Sequence, residues 1–343
     1  MPCPAMAVTP EHIQPLLDVT RSLVDLGGKR WRPLFLVLCA RAMTDDPVKA
    51  EASEKAAYGL APLVEFVHTA SLIHDDIEDN SDMRRGKPAA YITYGMDTAI
   101  NAGSWLYFQA PVTINRLDCS DALKLRLYQA YTMELRKLHL GQAMDIAWHR
   151  QKSFIPTAEE YLAMVKNKTG TLAALAATLG ILAANGSDSD CEKAAEAARE
   201  IGAGFQVIDD VINIKIGNPG KKRGDDIVEG KKSLPVILFA QNQDPEKTRL
   251  LMEYFVQAEK EGIESSAVEK AVCLLLESGD VEKACAMGIQ FINSACSKFD
   301  LLFGKDKAES KLIRELFLSM VPENLRTEKP APNAAINMEK TNA

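Results

Sequence analysis

The stretch SLIHDDIEDNSDMRRGKPA, residues 71–89, places acids directly after an apolar segment and cations directly after the acids. Asp75 and Asp79 are four residues apart, so on a helix their carboxylates share one face, with Asp76 beside them. Carboxylate oxygens suit Mg²⁺, which shares its coordination shell with phosphate, and arginine binds phosphate through two hydrogen bonds. The stretch therefore indicates a helix that ends at a site for metal and phosphate. A solvated acidic helix end beside a basic loop is the simpler alternative.

The composition is that of a soluble globular protein. The 343 residues are 47% hydrophobic and 25% charged, and the net charge of −7 argues against a general nucleic-acid binder. The seven cysteines form no Cys-x-x-Cys pair, and we expect reduced thiols in a cytoplasmic protein. The most apolar stretch, residues 171–185, is too short and too rich in alanine to span a bilayer. The N-terminal residues lack the pattern of a signal peptide, so we expect no stable membrane insertion.

Apolar residues recur at the spacing of helices throughout the chain. Leu16, Val19 and Leu23 are three or four residues apart, and no segment alternates in the manner of a β-strand. We therefore predict an all-α fold with one large helical domain over residues 1–321. Residues 322–343 contain three prolines and few large apolar side chains, which predicts a disordered tail.

A second acid cluster repeats the pattern of the first. GFQVIDDVINI, residues 204–214, places Asp209, Asp210 and Asn213 at the end of an apolar helical segment. Three cationic clusters accompany the acids: GGKRWRP at 27–33, KNKTG at 166–170 and GKKRGDDIVEGKKSLP at 220–235. Any one of these clusters alone is more simply explained as a solvated patch. Together they fit two polyphosphate-bearing substrates, one bound through metal ions and one bound by side chains alone.

One histidine leaves a different chemistry open. His74 and Asp75 form the His-Asp pair that is typical of metal phosphohydrolases. That chemistry needs a further histidine and aspartate from other helices, and His139 is available.

The motifs, in this order, resemble those of the trans-isoprenyl diphosphate synthases, also called polyprenyl synthetases. The resemblance runs from about Gly27 to Pro235 and includes GQAMDIAWH at residues 141–149. It implies the isoprenoid synthase fold, a single helical bundle around an elongated cavity. It also implies an enzyme that joins isopentenyl diphosphate head-to-tail to an allylic diphosphate, releasing diphosphate and a proton. Members of the family are usually homodimers, and the resemblance implies three Mg²⁺ ions in each site.

The resemblance assigns a role to each matching residue. Four side chains would bind the diphosphate of isopentenyl diphosphate: Lys29, Arg32, His68 and Arg85. Five acids would hold or support Mg²⁺: Asp75, Asp76, Asp79, Asp209 and Asp210. Four cations would grip the allylic diphosphate, the last of them in a secondary role: Arg84, Lys168, Lys221 and Lys231. Two polar side chains would stabilise positive charge at the reacting carbon: Thr169 and Gln206.

The residues before the first acid cluster predict the length of the product. In the family, the residues four and five positions before the first Asp set the floor of the hydrocarbon tunnel, and here they are the small Ser71 and Ala70. The resemblance therefore implies a product of twenty carbons or more, with geranylgeranyl diphosphate favoured. A deeper floor would come from larger side chains on the same helix or the next one: Val67, Phe66, Val64, Leu63, Trp105, Tyr107 and Phe108.

Two departures from the family's pattern keep alternatives open. Asn213 stands where the second motif often ends in a third Asp, and Ser104 stands where many members have Asp. The lost charge at Asn213 is compatible with a non-catalytic regulatory subunit of a heteromeric synthase. A class I terpene cyclase would share the fold and the first motif, but this sequence lacks a cyclase's second motif and retains the isopentenyl diphosphate residues.

Overall fold

The computed structural model describes residues 8–151, 154–217 and 222–326, and these are almost entirely helical, which confirms the all-α prediction. The two short strands are β1 (Met83–Arg84) and β2 (Lys87–Pro88), which pair as an antiparallel hairpin. The helices of the described residues are α1 (Pro10–Val24), α2 (Trp31–Ala42), α3 (Pro47–Glu78), α4 (Ala90–Tyr94), α5 (Met96–Gln109), α6 (Val112–Asn115), α7 (Asp121–Arg150), α8 (Ala158–Lys168), α9 (Gly170–Ala183), α10 (Asp188–Lys215), α11 (Asp225–Val228), α12 (Leu234–Asn242), α13 (Pro245–Glu261), α14 (Ser266–Glu277), α15 (Asp280–Phe303), α16 (Ala308–Ser319) and α17 (Glu323–Arg326).

The predicted tail is described only over its first five residues, 322–326. Four of these form α17, and Leu325 within it is fully buried. The rest of the predicted tail, residues 327–343, lies outside the described residues.

Contacts divide the chain into two compact units. The first consists of Met1–Leu138, Thr171–Ala198 and Lys298–Ile313. The second consists of His139–Gly170, Arg199–Ser297 and Arg314–Ala343. The boundaries fall inside helices α7, α9, α10, α15 and α16. The assignment of residues 1–321 to one domain stays a prediction.

The first unit is organised around α3, which packs against α2 and α5. Its start is set by Asp46, whose carboxylate accepts hydrogen bonds from the backbone N–H of Val48 at 3.0 Å and of Lys49 at 3.4 Å, and by Pro47 at the first helical position. The apolar side chains at helical spacing along α3 are fully buried: Leu60, Leu63, Val64 and Val67. Among the described helices, α3 alone has the length and apolar composition needed to cross a membrane, and 44% of that segment is buried in the protein.

The first unit also brings α9 close to α2. A Cβ atom on Gly180 would lie 2.4 Å from the carbonyl oxygen of Leu36, so only glycine permits this approach. On α2 the ring of Phe35 meets that of Phe299 edge to face, with the centroids 5.3 Å apart. The buried α3 and the closely packed α2 give the first acid and cation clusters a rigid support.

The second unit contains two close contacts between backbones. A Cβ atom on Gly141 in α7 would lie 2.3 Å from the backbone nitrogen of Lys168 at the end of α8. A Cβ atom on Gly202 in α10 would lie 2.3 Å from the Cα atom of Gly170. The start of α8 is fixed by Thr157 and Glu160, which cap each other's backbone N–H groups. These contacts hold the KNKTG segment against both α7 and α10.

Candidate active site

The first cationic cluster surrounds the start of α2. Helix α2 begins at Trp31, as the GGKRWRP motif predicts, and Arg30 before it has left-handed backbone geometry with φ of 48°. Arg85, in the hairpin turn, donates to the carbonyl oxygen of Gly27. A Cβ atom on Gly28 would lie 2.9 Å from Nη2 of Arg85, so this glycine lets the two loops meet. The predicted Lys29 lies in the same loop and is exposed.

His68 lies among the arginines of this cluster. Burial lowers the pKa of His68 well below its usual 6.5, and the positive charges of Arg32, Arg85, Arg84 and Arg30 lower it further. The imidazole is therefore neutral at neutral pH and can donate or accept a hydrogen bond. We use the name arginine cluster for Arg30, Arg32, Arg84 and Arg85.

Arg32 has the character of an anion-binding group. Burial lowers the pKa of Arg32 to about 10, with Glu65 opposing the shift and Arg85 adding to it. Its guanidinium lies 4.4 Å from the ring centroid of Trp31, and its buried Nε has no hydrogen-bond partner among the described residues. Glu65 pairs with Arg30 and is a counter-ion to the cluster. A multiply charged anion would therefore bind favourably here.

The first acid cluster is tied to the hairpin by Arg84. Asp76 is 1% exposed and accepts from Nε of Arg84 at 2.7 Å, and Nη2 of the same arginine lies 3.5 Å from Asp75. Asp75 lies in the last turn of α3 and Asp79 caps its end, and both are partly exposed. Asp76, predicted to support the metal, thus makes a buried ion pair, whereas the spacing and exposure of the other two acids fit the predicted metal face.

Whether the acids of the first cluster suit Mg²⁺ depends on how many ligands the protein itself supplies. Within residues 8–151, 154–217 and 222–326, no group of three or more His, Cys, Asp or Glu side chains is placed to hold a metal by itself. Mg²⁺, however, commonly binds one or two carboxylates and completes its shell with water and substrate phosphates. The half-buried oxygens of Asp75 and Asp79 therefore have the right chemistry for an ion that arrives with a diphosphate.

The second acid cluster is organised around Asp210 at the end of a buried helical segment. Its carboxylate accepts from the hydroxyl of Tyr161 at 2.6 Å, from Nε2 of Gln206 at 3.0 Å and from the backbone of Leu234 at 3.4 Å. Burial raises the pKa of Asp210 to about 7, and the charge of Asp226 raises it as well. Asp209 beside it is partly exposed. Asp209 is therefore the acid of this pair with better access to a metal ion.

Thr169 and Gln206, assigned to the reacting carbon, are brought together. Oγ1 of Thr169 donates to Oε1 of Gln206 at 2.9 Å, and Gln206 in turn donates to Asp210. The three side chains form a continuous hydrogen-bonded chain within the second unit. The contact between Gly202 and Gly170 allows this chain because it brings α10 against the KNKTG segment.

Lys168 has a partner that sequence reasoning did not identify. Its Nζ lies 2.6 Å from Oδ2 of Asp145, and the other oxygen of Asp145 lies 2.9 Å from Nε2 of His149. Burial alone would raise the pKa of Asp145, but Lys168 and His149 hold it well below its usual value. The four-residue spacing of Gly141, Asp145 and His149 within the quoted GQAMDIAWH motif was the available signal.

The other two predicted cations are Lys221 and Lys231. Lys231 is paired, with its Nζ 2.5 Å from Glu229 and 3.3 Å from Asp226. Lys221 lies outside the described residues. Reaching a substrate phosphate would require Lys231 to leave these two acids.

Asn213 has a structural role at the position where the family often has an acid. Its side chain is fully buried, and Oδ1 accepts from the backbone N–H of Asp226 at 3.4 Å, while its carbonyl oxygen accepts from Gly224 at 3.1 Å. Its Nδ2 has no partner among the residues that the structure describes. Asn213 therefore holds the start of α11 in place.

Ser104 lies next to His74 on the facing helix α5. Its Oγ is 3.3 Å from Nε2 of His74, whose Nδ1 lies 2.9 Å from the carbonyl oxygen of Ala70. A Cβ atom on Gly103 would lie 2.6 Å from the His74 ring, and the Tyr107 ring stacks on it with the centroids 5.5 Å apart. The Gly-Ser pair thus accommodates the imidazole, which is part of the packing between α3 and α5.

The predicted tunnel residues divide by burial. Ala70 is fully buried, whereas Ser71 is half-buried and donates to the carbonyl oxygen of His68 at 2.8 Å. Phe108 is 77% exposed, so within this chain it does not close a buried tunnel. Tyr107 is the more suitable of these two aromatic residues because its ring stacks on His74 of α3.

We predict that His68 makes the folded protein sensitive to acid. The unfolded chain binds a proton to this histidine near pH 6.5, whereas folded His68 resists protonation, so stability falls as the pH falls below that value. The loss from this one group is at most about 1.4 kcal/mol per pH unit. Urea unfolding at about pH 7.5 and about pH 5.5 should show a smaller loss of unfolding free energy for His68→Gln than for the unaltered protein.

The exposed His139 provides a matched control for this measurement. His139→Gln should retain the acid-side slope of the unaltered protein. An identical slope in all three proteins would show that folded His68 takes up its proton as readily as the unfolded chain does.

Comparisons with known proteins agree with the fold and identify the family. A family model described as polyprenyl synthetase matches residues 13–273. The chain is 33% identical to a geranylgeranyl diphosphate synthase of Methanosarcina mazei over 88% of this chain and 87% of that protein. It is 30% identical to a geranylfarnesyl diphosphate synthase of Natronomonas pharaonis over 84% of each. The crystal structure of geranylgeranyl pyrophosphate synthetase from Pyrococcus horikoshii matches with a TM-score of 0.78 and 29% identity, covering 90% of each chain. The chain therefore belongs to the polyprenyl synthetase family and is a prenyltransferase that acts on isoprenyl diphosphates.

Proposed function

We propose that this enzyme extends allylic diphosphates with isopentenyl diphosphate to a linear trans product of twenty carbons or more, with geranylgeranyl diphosphate as the main product. The observation that carries this proposal is the pair of small residues, Ala70 and Ser71, one helical turn before Asp75. The relatives named geranylgeranyl and geranylfarnesyl diphosphate synthases support the length. The family match sets aside the terpene cyclase and the phosphohydrolase alternatives.

Isopentenyl diphosphate would bind at the arginine cluster. Arg32 and Arg85, together with Lys29 and the neutral His68, supply donors for a diphosphate, and this substrate needs no metal there. Burial first, and then the repulsion between the cations, lowers the pKa values of Arg32 and Arg85, which supports a preference for a multiply charged anion.

The allylic diphosphate would bind with two Mg²⁺ ions at Asp75 and Asp79, and a further ion would bind at Asp209, giving three ions in all. When bound, these ions supply electrostatic stabilisation of the departing diphosphate. Arg84 and Lys168 would donate to the same diphosphate. Arg84 lies between Asp76 and Asp75, so the acids already hold its guanidinium in place for a phosphate.

Catalysis would consist of positioning and electrostatic stabilisation, without a protein nucleophile. Thr169 and Gln206 would direct oxygen atoms towards the positive charge that develops on the allylic carbon. Their mutual hydrogen bond and the link from Gln206 to Asp210 support this role because they fix both side chains before substrate arrives. Lys221 would assist with the diphosphate, and Lys231 would do so in a secondary role.

We further propose that the enzyme is a cytoplasmic homodimer that binds no nucleic acid. The hydroxyl of Tyr131 donates to the carbonyl oxygen of Tyr107 at 2.5 Å, which places α5 beside α7. Large apolar side chains are exposed on these two helices: Phe108 by 77%, Leu125 by 59% and Met133 by 50%. Light scattering should give a mass of twice 37.6 kDa, and a monomer would contradict the proposal.

The activity is tested with the purified full chain, Mg²⁺, labelled isopentenyl diphosphate and dimethylallyl, geranyl or farnesyl diphosphate in turn. We expect linear prenyl alcohols of twenty carbons after dephosphorylation. Chelation of the metal should abolish the product, and added Mg²⁺ should restore it. Asp75→Ala should lower the rate by more than about 100-fold. If no primer is elongated, the chain is a non-catalytic subunit and the proposal is wrong.

The position of the tunnel floor is tested by enlarging the small residues. Ser71→Phe should shorten the main product because the half-buried side chain would fill hydrocarbon space, while Ser71→Ala keeps that space and should leave the product unchanged. Ala70→Phe should also shorten the product, although its full burial adds a packing cost of about 1–3 kcal/mol. The measurement is the product chain length of all three variants. If both phenylalanine variants make products of unaltered length, Ala70 and Ser71 do not form the tunnel floor.

A further inference from the structure

The backbone of Lys168 is fixed by close packing, but its side chain is not fixed in the same way. Lys168 ends α8, where its backbone nitrogen lies within 2.3 Å of the position that a Cβ atom on Gly141 would take. The lysine side chain is a flexible four-carbon stem with a point charge at its end. Its ammonium group therefore needs a tether if it is to meet a substrate phosphate in one geometry.

Asp145 is that tether. It lies one helical turn after Gly141 on α7, and its side chain is 11% exposed, with Oδ2 only 2.6 Å from Nζ of Lys168. A carboxylate held by one oxygen can still rotate, because the terminal torsion of aspartate is broad and about two-fold. One ion pair to Lys168 would thus leave the direction of the ammonium group poorly defined.

His149 makes a second contact with the same carboxylate. It lies one further turn along α7, and its Nε2 is 2.9 Å from Oδ1 of Asp145. The ring is 15% exposed and lies against a cavity lined by Glu229, Lys232, Phe255 and Glu259. Gly141, Asp145 and His149 thus share one face of α7. Gly141 packs on the backbone of Lys168, Asp145 contacts its ammonium group, and His149 contacts the carboxylate of Asp145.

We propose that His149 is a positioning residue for Lys168. It holds one oxygen of Asp145, so that the other oxygen directs the lysine ammonium group towards the allylic diphosphate. This inference rests on the proposed role of Lys168 in binding that diphosphate. It predicts that the imidazole affects the allylic substrate and the chemical step, and leaves the binding of isopentenyl diphosphate unchanged.

The test compares two substitutions at this position. His149→Phe retains a ring and removes both nitrogens, and kcat/KM for the allylic diphosphate should fall about tenfold while KM for isopentenyl diphosphate stays the same. His149→Gln places an amide nitrogen near the position of Nε2 and should recover activity to within about threefold of the unaltered enzyme. His149→Leu is a second apolar variant in case the phenylalanine variant fails to fold. Arg150→Gln, at the adjacent exposed residue, is the control and should behave as the unaltered enzyme.

A double-mutant cycle separates positioning from a general loss of structure. In an Asp145→Asn background, where Lys168 has lost its charged partner, His149→Phe should cause no further loss in kcat/KM. A tenfold loss in both backgrounds, an equal loss for both substrates, or no recovery with glutamine would overturn the inference. If the unaltered chain forms no prenyl product, the proposed function itself is wrong and the inference fails with it. An active unaltered chain with an unaffected His149→Phe variant contradicts the inference alone.

Discussion

The buried ion pair between Arg84 and Asp76 is the interaction on which the first candidate site depends. Asp76 is 1% exposed, and a carboxylate at that depth is stable only with a charged partner. Arg84 provides that partner from the β-hairpin, so the pair ties the hairpin to the last turn of α3. The hairpin also carries Arg85, which contacts the loop before α2. The ion pair of Asp76 thus determines where Arg84 and Arg85 of the arginine cluster lie relative to Asp75 and His68.

The second unit contains two buried carboxylates that are stabilised in different ways. Asp145 and Asp210 are both buried, yet the pKa of Asp145 is lowered while the pKa of Asp210 is raised to about 7. The difference comes from their neighbours: Lys168 and His149 face the first, whereas Asp226 and Asp209 add negative charge beside the second. Asp145 therefore remains an ionised anchor for a cation. Asp210 lies where added positive charge would be favourable.

Local patterns in the sequence predicted the features that local forces determine. Helical periodicity predicted the all-α fold, the GGKRWRP motif predicted the start of α2, and the four-residue spacing predicted that Asp75 and Asp79 share a face. The role of Asp145 was missed because it depends on the contact of α7 with the end of α8, which glycine permits at Gly141. The burial of Leu325 was missed because the average composition of residues 322–343 obscures a single apolar side chain that packs.

Ala70 and Ser71 are neighbours in α3 but lie on different faces of the helix. Ala70 shares its face of α3 with His74, four residues on, and His74 contacts Gly103, Ser104 and Tyr107 of α5. A larger side chain at Ala70 would therefore extend from the face of α3 that packs against α5. Ser71 shares its face with Asp75, and its hydroxyl is satisfied within its own helix, so a larger side chain there extends from the face that carries the acids. Product length should accordingly respond to volume at Ser71 and to helix packing at Ala70.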